Sequence, residues 1–476
     1  MGDKVKAKLI QYKKYLKNLS QTDKLIILIA FIGVAIRIIY ICYTNFNVRQ
    51  HDLLGLQDKE GHIAYIVYWY NNFKLPDIDP RSLWQFYQPP LHHILAAMWV
   101  RLNVSVGFSF ATAVENIQVL TMIYSCITTF ICYKIFKELG IKGKGLVIAF
   151  TLVCLHPTMI LLSGSINNDI LCLMLDMAAI LATIKWYKKS SMKNIIIIAL
   201  CLGFSMMTKA SGVLIAPAIA FVFIIKLLKC VMEWKNRNKL DNKNQTHKVS
   251  GLIMQFVVFL IISVPIGIWW SVYAYARFGM PIGFVPKLSN NINQYIGSYP
   301  TWARFLDFDL AQIKSVFQNW GDPSFEHNIL LAILKTSLFG EYDFSKAVSF
   351  IVLPATILFW SNVILTVLSL FAMVYVCVKK IENFNNVMKI FFSVMYITIV
   401  GSFIKFCFQY PHTCTMDYRY IVPTLIIGAA AIGLLVNELD KKKNIQYKRI
   451  SFGIYAITKV FAVFSVLTYC ILGMVF

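Results

Sequence analysis

The chain has 476 residues, 58% of them hydrophobic and 14% charged, with a mean hydropathy of +0.62 and a formal net charge of +23. Soluble globular domains carry about 25% charged residues, so a water-soluble fold is excluded; apolar windows of about 20 residues, enough to cross hydrocarbon at about 1.5 Å per residue, recur along the chain. The positive charge does not mark a nucleic-acid binder, because no basic groove interleaved with aromatics is visible.

Residues 1–23, with Lys4, Lys6, Lys8, Lys13, Lys14 and Lys17 but no short apolar core or cleavage site, read as a cytoplasmic basic lead-in rather than a removable signal. Residues 24–476 read as a single all-α polytopic membrane domain. Its 11 predicted spans are 24–43, 115–137, 146–162, 168–184, 194–207, 213–228, 250–276, 352–378, 387–408, 418–436 and 452–474. Starting from a cytoplasmic N-terminus, this alternation puts most of the 46 Lys and Arg residues on the cytoplasmic side, the orientation that the positive-inside rule selects. The opposite side carries two long loops, 44–113 and 277–350. Loops of this length are functional or contain helices of their own. In the first, 63–72 reads as an amphipathic helix and 91–101, started by Pro89-Pro90, as an apolar helix too short to span. Both are expected to lie in the interface, with Trp69, Tyr70, Trp84 and Trp99 at headgroup depth.

The ionisable residues that fall at the outer boundary are the candidates for chemistry. "HDLLGLQDKEGH", His51 to His62, places His51, Asp52, Asp58 and His62 beside the membrane, where burial tunes carboxylates for acid–base work. The same types could hold a divalent metal, though nothing in the spacing selects an ion. "SGSINND" follows the third span and supplies Asn167, Asn168 and Asp169; "TKASG" follows the fifth and supplies Lys209; "DYRYIVP" opens the tenth and supplies Arg419. A Lys and an Arg at membrane depth suit a phosphate whose lipid tail stays in the bilayer. Asp52 and Asp169 could accept a proton from a hydroxyl or orient it, and the two amides suit sugar hydroxyls. Asp176, about 10 Å deeper than Asp169, and Arg37 at similar depth read as a structural ion pair, since a buried charge requires a partner. In the second loop Lys335 and Glu341 read as a pair across a loop helix, with Glu341 also a candidate substrate contact.

Taken in order, Asp52, "LPDIDPRSLWQFYQPPLHHILAA", "NND" at 167–169, "TKASG" and "YRYIVP" resemble the C superfamily (GT-C) of membrane glycosyltransferases, in the bacterial branch related to protein O-mannosyltransferases and lipid A aminoarabinose transferases. The likeness runs from about 50 to 425. It implies a GT-C-like fold and transfer of a sugar from polyprenyl phosphate, in bacteria undecaprenyl phosphate, to a glycan, lipid or protein acceptor at the outer surface of the cell membrane. It gives Asp52 the role of base or site organiser, carries the acid after the third span to Asp169, and the phosphate-binding cations to Lys209 and Arg419. His51, Asp58, His62, Asn167, Asn168 and Glu341 join as substrate contacts. Many relatives have an Asp-Glu pair where this chain has His51-Asp52, which leaves metal dependence open and no cofactor assigned. A flippase, or a ligase or polymerase of lipid-linked glycans, is the competing reading of the same surface.

Overall fold

The computed structural model describes residues 19–46, 54–235, 242–319, 321–323, 326–344, 349–382 and 384–475. The greater part of the predicted basic lead-in, His51 and Asp52 lie outside them. The longer helices among the described residues are α1 (Gln21–Tyr43), α2 (Gly61–Asn72), α3 (Leu91–Ser105), α4 (Ile117–Glu138), α5 (Gly143–Cys154), α6 (Asp169–Lys188), α7 (Met192–Thr208), α8 (Ala216–Lys235), α9 (Asn242–Phe278), α10 (Ile329–Phe339), α11 (Val352–Val378), α12 (Asn386–Gln409), α13 (Pro423–Asp440) and α14 (Ile445–Val475). Among the described residues, nine helical stretches are long and apolar enough to cross a membrane, while α5, α7 and α10 are apolar but shorter.

Every predicted span has a helical counterpart, and the departures have local causes. The predicted span 146–162 is broken, because Pro157 lacks an N–H and its ring clashes with the carbonyl four residues back. The residue before it, His156, is accordingly extended at φ −69° and ψ 131°, and its Nδ1 accepts from Thr158 N at 3.3 Å to start a new short helix, Pro157–Leu161. The predicted span 418–436 begins later, at Pro423 in the first helical turn, where a missing N–H is harmless. In the bundle core α5 and α13 meet at Gly145 and Gly433. A Cβ on Gly145 would run into the Gly433 carbonyl and the Asn437 amide, so the close crossing requires glycine there.

The first long loop folds as expected into two helices. However, Ile63, Tyr65, Ile66 and Trp69 of α2 bury themselves against Ala96, Ala97 and Val100 of α3. Trp69 is therefore buried inside a small lobe, and the Trp99 indole is turned to donate to Asn116 O at 2.8 Å. Two expected pairings are also corrected. Arg37 does not meet Asp176: its guanidinium donates to Gly33 O (2.7 Å), Cys154 O (3.0 Å) and Ser125 Oγ (2.9 Å), while Asp176 accepts from Ser205 Oγ at 2.5 Å. Carbonyls and hydroxyls thus do the work expected of a counter-charge.

Lys335 turns not to Glu341 but to Glu326, at 2.9 and 3.1 Å, with both side chains essentially unexposed. Removing one partner of such a pair leaves a buried charge uncompensated. Glu326→Gln and Lys335→Met are each expected to cost about 3–5 kcal/mol, read as a lowered thermal midpoint of the detergent-solubilised protein.

Candidate functional site

The site grows from one inter-helix bond. Asn168, at the N-cap position of α6, donates from its side-chain amide to Thr208 O at 2.9 Å, which ties the start of α6 to the end of α7. The next residue on each element is then brought face to face: Asp169 in the first turn of α6 and Lys209 at the C-cap of α7, whose Nζ contacts Asp169 Oδ1. The Asp169 backbone N–H donates to Asn167 Oδ1 at 3.1 Å, and the positive end of the α6 dipole favours a carboxylate there.

Arg419 arrives from the other end of the chain on the 3-10 turn Tyr418–Tyr420. That turn is capped by Asp417, which accepts from Arg419 N at 2.8 Å, and is docked by Tyr418 N on Thr336 Oγ1 of α10 at 3.0 Å. The guanidinium lies 3.8 Å from Asp169 Oδ2 and 3.9 Å from Asp417 Oδ2 and donates to the Tyr420 hydroxyl at 3.0 Å. Both cations also sit over the Tyr420 ring, Lys209 at 5.1 Å and Arg419 at 5.0 Å from its centroid. Asp169 is buried and the two cations are half-buried, so their mutual attraction is screened less than at the open surface. One carboxylate, Asp169, is shared by two cations, and an anion entering here competes with it for both.

These groups form part of the wall of a cavity of about 600 Å³. Of the residues singled out from sequence, His62, Asn168, Asp169, Lys209, Glu341 and Arg419 line it. Asn167 stands behind the wall as the cap of Asp169. Asp58 is not on the lining; it is exposed and accepts from Gly55 N in a local turn. The sequence reading missed Trp84, Gln85, Tyr87 and Gln88, which line the cavity, and Asp417. The signal was present in "WQFYQPP", where neutral amides and aromatics precede a helix-starting proline pair, but no charge singled out one of them. Among the described residues no three His, Cys, Asp or Glu side chains gather as a metal site.

Behind His62, two further histidines brace the cavity wall. His62 Nδ1 lies 2.9 Å from His93 Nε2 with the rings stacked, and His93 packs on Tyr65 at 4.4 Å. The neighbouring His92 directs Nε2 at Ile166 O, 3.1 Å away; a carbonyl only accepts, so that nitrogen carries the proton and pins the turn leading into Asn167. Burial holds His93 well below the ordinary imidazole range and pushes His92 from 6.5 down to about 4. Between about 6.5 and 4 the unfolded chain therefore binds protons that the folded one refuses. Stability should fall as pH drops through that window, and a thermal midpoint measured against pH should flatten in His92→Asn.

Comparison with known proteins comes down on the same architecture. Residues 88–237 match the family model described as dolichyl-phosphate-mannose-protein mannosyltransferase. No curated protein matches the sequence. Among solved structures, the chain is similar to ArnT from Cupriavidus metallidurans in the apo state, with a TM-score of 0.50 and 11% identity over 96% of this chain and 77% of that one. It is also similar to the archaeal oligosaccharyltransferase AglB from Archaeoglobus fulgidus, in complex with an inhibitory peptide and a dolichol-phosphate, with a TM-score of 0.51 and 13% identity. That match covers 97% of this chain and 56% of AglB, so the chain spans about half the archaeal protein's length. The fold is GT-C-like.

Proposed function

We propose that the protein is an integral-membrane glycosyltransferase of the hexosyltransferase type. It moves a sugar from a polyprenyl phosphate, undecaprenyl phosphate in a bacterial membrane, to an acceptor hydroxyl on the extracytoplasmic side of the cell membrane. The observation that carries this reading is that Asp169, Lys209 and Arg419, far apart in the chain, meet at one wall of one large cavity. The family model matched by residues 88–237 and the GT-C-like fold support it, and the concentration of Lys and Arg in the opposite connections supports the sidedness.

In the reaction, the acceptor oxygen attacks the anomeric carbon in line and with inversion. The bond from that carbon to the phosphate oxygen breaks, and its electron pair leaves on the lipid phosphate. Lys209 and Arg419 stabilise that developing charge, trading part of their contact with Asp169 for the phosphate. The acceptor's proton goes to a carboxylate, for which Asp52 is the candidate. Protein reconstituted in liposomes with undecaprenyl phosphate bearing a radiolabelled hexose tests the reading. Label in a covalent product no longer attached to the lipid supports it. Label that changes leaflet and stays on the lipid indicates a flippase, and label that does neither removes the monosaccharide donor.

A further inference from the structure

The helix α10 is apolar but shorter than a span, and it is sunk into the bundle, with Leu331, Ala332, Lys335, Thr336, Leu338 and Phe339 all buried. Both of its ends are held. Asn328 caps the start, accepting from Leu330 N at 2.9 Å and Leu331 N at 3.1 Å. At the finish, carbonyls of the last turn, which have no partner within a helix, are met by side chains of other elements. Thr158 Oγ1 donates to Ser337 O and the Tyr469 hydroxyl of α14 to Leu338 O, each at 2.6 Å, and Asn362 of α11 donates to Ser337 Oγ at 3.1 Å. None of these three residues lines the cavity, so α10 is fixed to the bundle from outside the site.

Thr336, 3% exposed, reaches from this helix to the turn that carries Arg419. Its hydroxyl proton is spent on Ala332 O at 2.7 Å, which leaves a lone pair on Oγ1, and that lone pair takes the buried Tyr418 N–H at 3.0 Å. The cap from Asp417 to Arg419 N shapes the turn from within, whereas the Thr336 bond fixes where the turn stands relative to the bundle. Asp169 and Lys209 stand on α6 and at the end of α7, so the 3.8 Å between Arg419 and Asp169 is a distance between separately anchored parts. A buried N–H that loses its acceptor costs more than an average hydrogen bond is worth, and the turn moves to relieve it. A misplacement of about 1 Å in a group that acts on the reacting atoms is enough to slow a reaction severely.

We propose that Thr336 is a positioning residue for the transfer reaction: by holding Tyr418 N, its Oγ1 sets the place of the Arg419 guanidinium beside the departing phosphate. The assignment rests on the function proposed above and adds to it the element that aims the cation. Thr336→Val keeps the shape and deletes the acceptor, whereas Thr336→Ser keeps the acceptor and deletes the methyl. The full-length protein is assayed in liposomes with undecaprenyl phosphate bearing a radiolabelled hexose. Thr336→Val should lower kcat about tenfold, with the donor KM changed less, and Thr336→Ser should recover most of the loss. In the Arg419→Met background the same Thr336→Val replacement should cost less than about twofold, because no guanidinium is left to aim. An equal loss in both backgrounds overturns the assignment and makes Thr336 a packing residue. Thr336→Ser as slow as Thr336→Val overturns it too, as does Thr336→Val with its kcat intact. Should Thr336→Val fail to fold, Thr336→Cys takes its place, since sulfur is a weak acceptor, and a kcat equal to that of Thr336→Ser overturns the assignment. A wild type that transfers no label fails at the earlier step, the glycosyltransferase reading itself, and takes this assignment with it.

Discussion

Lys209→Met and Arg419→Met each lower the initial rate of sugar transfer by about 10²–10³-fold, the loss typical when one preorganised donor to developing negative charge is removed. Both cations are half-buried, at 15% and 8% side-chain exposure, and share Asp169 across the start of α6. In the proposed reaction they act on the departing phosphate, so the effect should appear in kcat more than in the KM for the donor. The companion variant Asp169→Asn separates this account from a merely structural cluster. It leaves two cations facing each other without their shared carboxylate, so the ligand-free protein should be less stable, by about 3–5 kcal/mol. Undecaprenyl phosphate supplies the missing negative charge and should restore the thermal midpoint of Asp169→Asn more than it raises that of the wild type. Equal shifts in the two proteins would detach the phosphate from this cluster.

The helices were legible because bilayer thickness imposes a length and a composition that few other constraints override. The cations of the site were legible for a related reason: Lys209 and Arg419 stand at helix ends where an apolar chain has little use for charge. Partnerships were harder to read. Arg37 satisfies its donors with carbonyls and hydroxyls that any sequence offers, and Lys335 selects Glu326 over Glu341 through the way the loop folds back. Asp58 was drawn into the candidate set by proximity in sequence, and its carboxylate is spent on a local turn.

Asp52→Asn is expected to lower transfer by about 10²–10⁴-fold, the range for loss of a general base, with the thermal midpoint unchanged. The described residues on either side frame the position. Phe46 N donates to the Glu115 carboxylate at 3.1 Å, fixing the exit from α1. Gly61 N donates to Trp84 O at 3.0 Å, and the next residue, His62, lines the cavity. Asparagine keeps the shape and one hydrogen-bond acceptor but cannot take up a proton at neutral pH. A base therefore shows itself as a fall in kcat with the donor KM preserved, whereas a residue that only orients substrate shows itself in KM. Asp58→Asn serves as the internal comparison, since its carboxylate engages Gly55 away from the cavity lining, and it should retain most of the activity. Full turnover in Asp52→Asn with loss in Asp58→Asn would move the base to Asp58 and require the 55–58 turn to open before the acceptor binds.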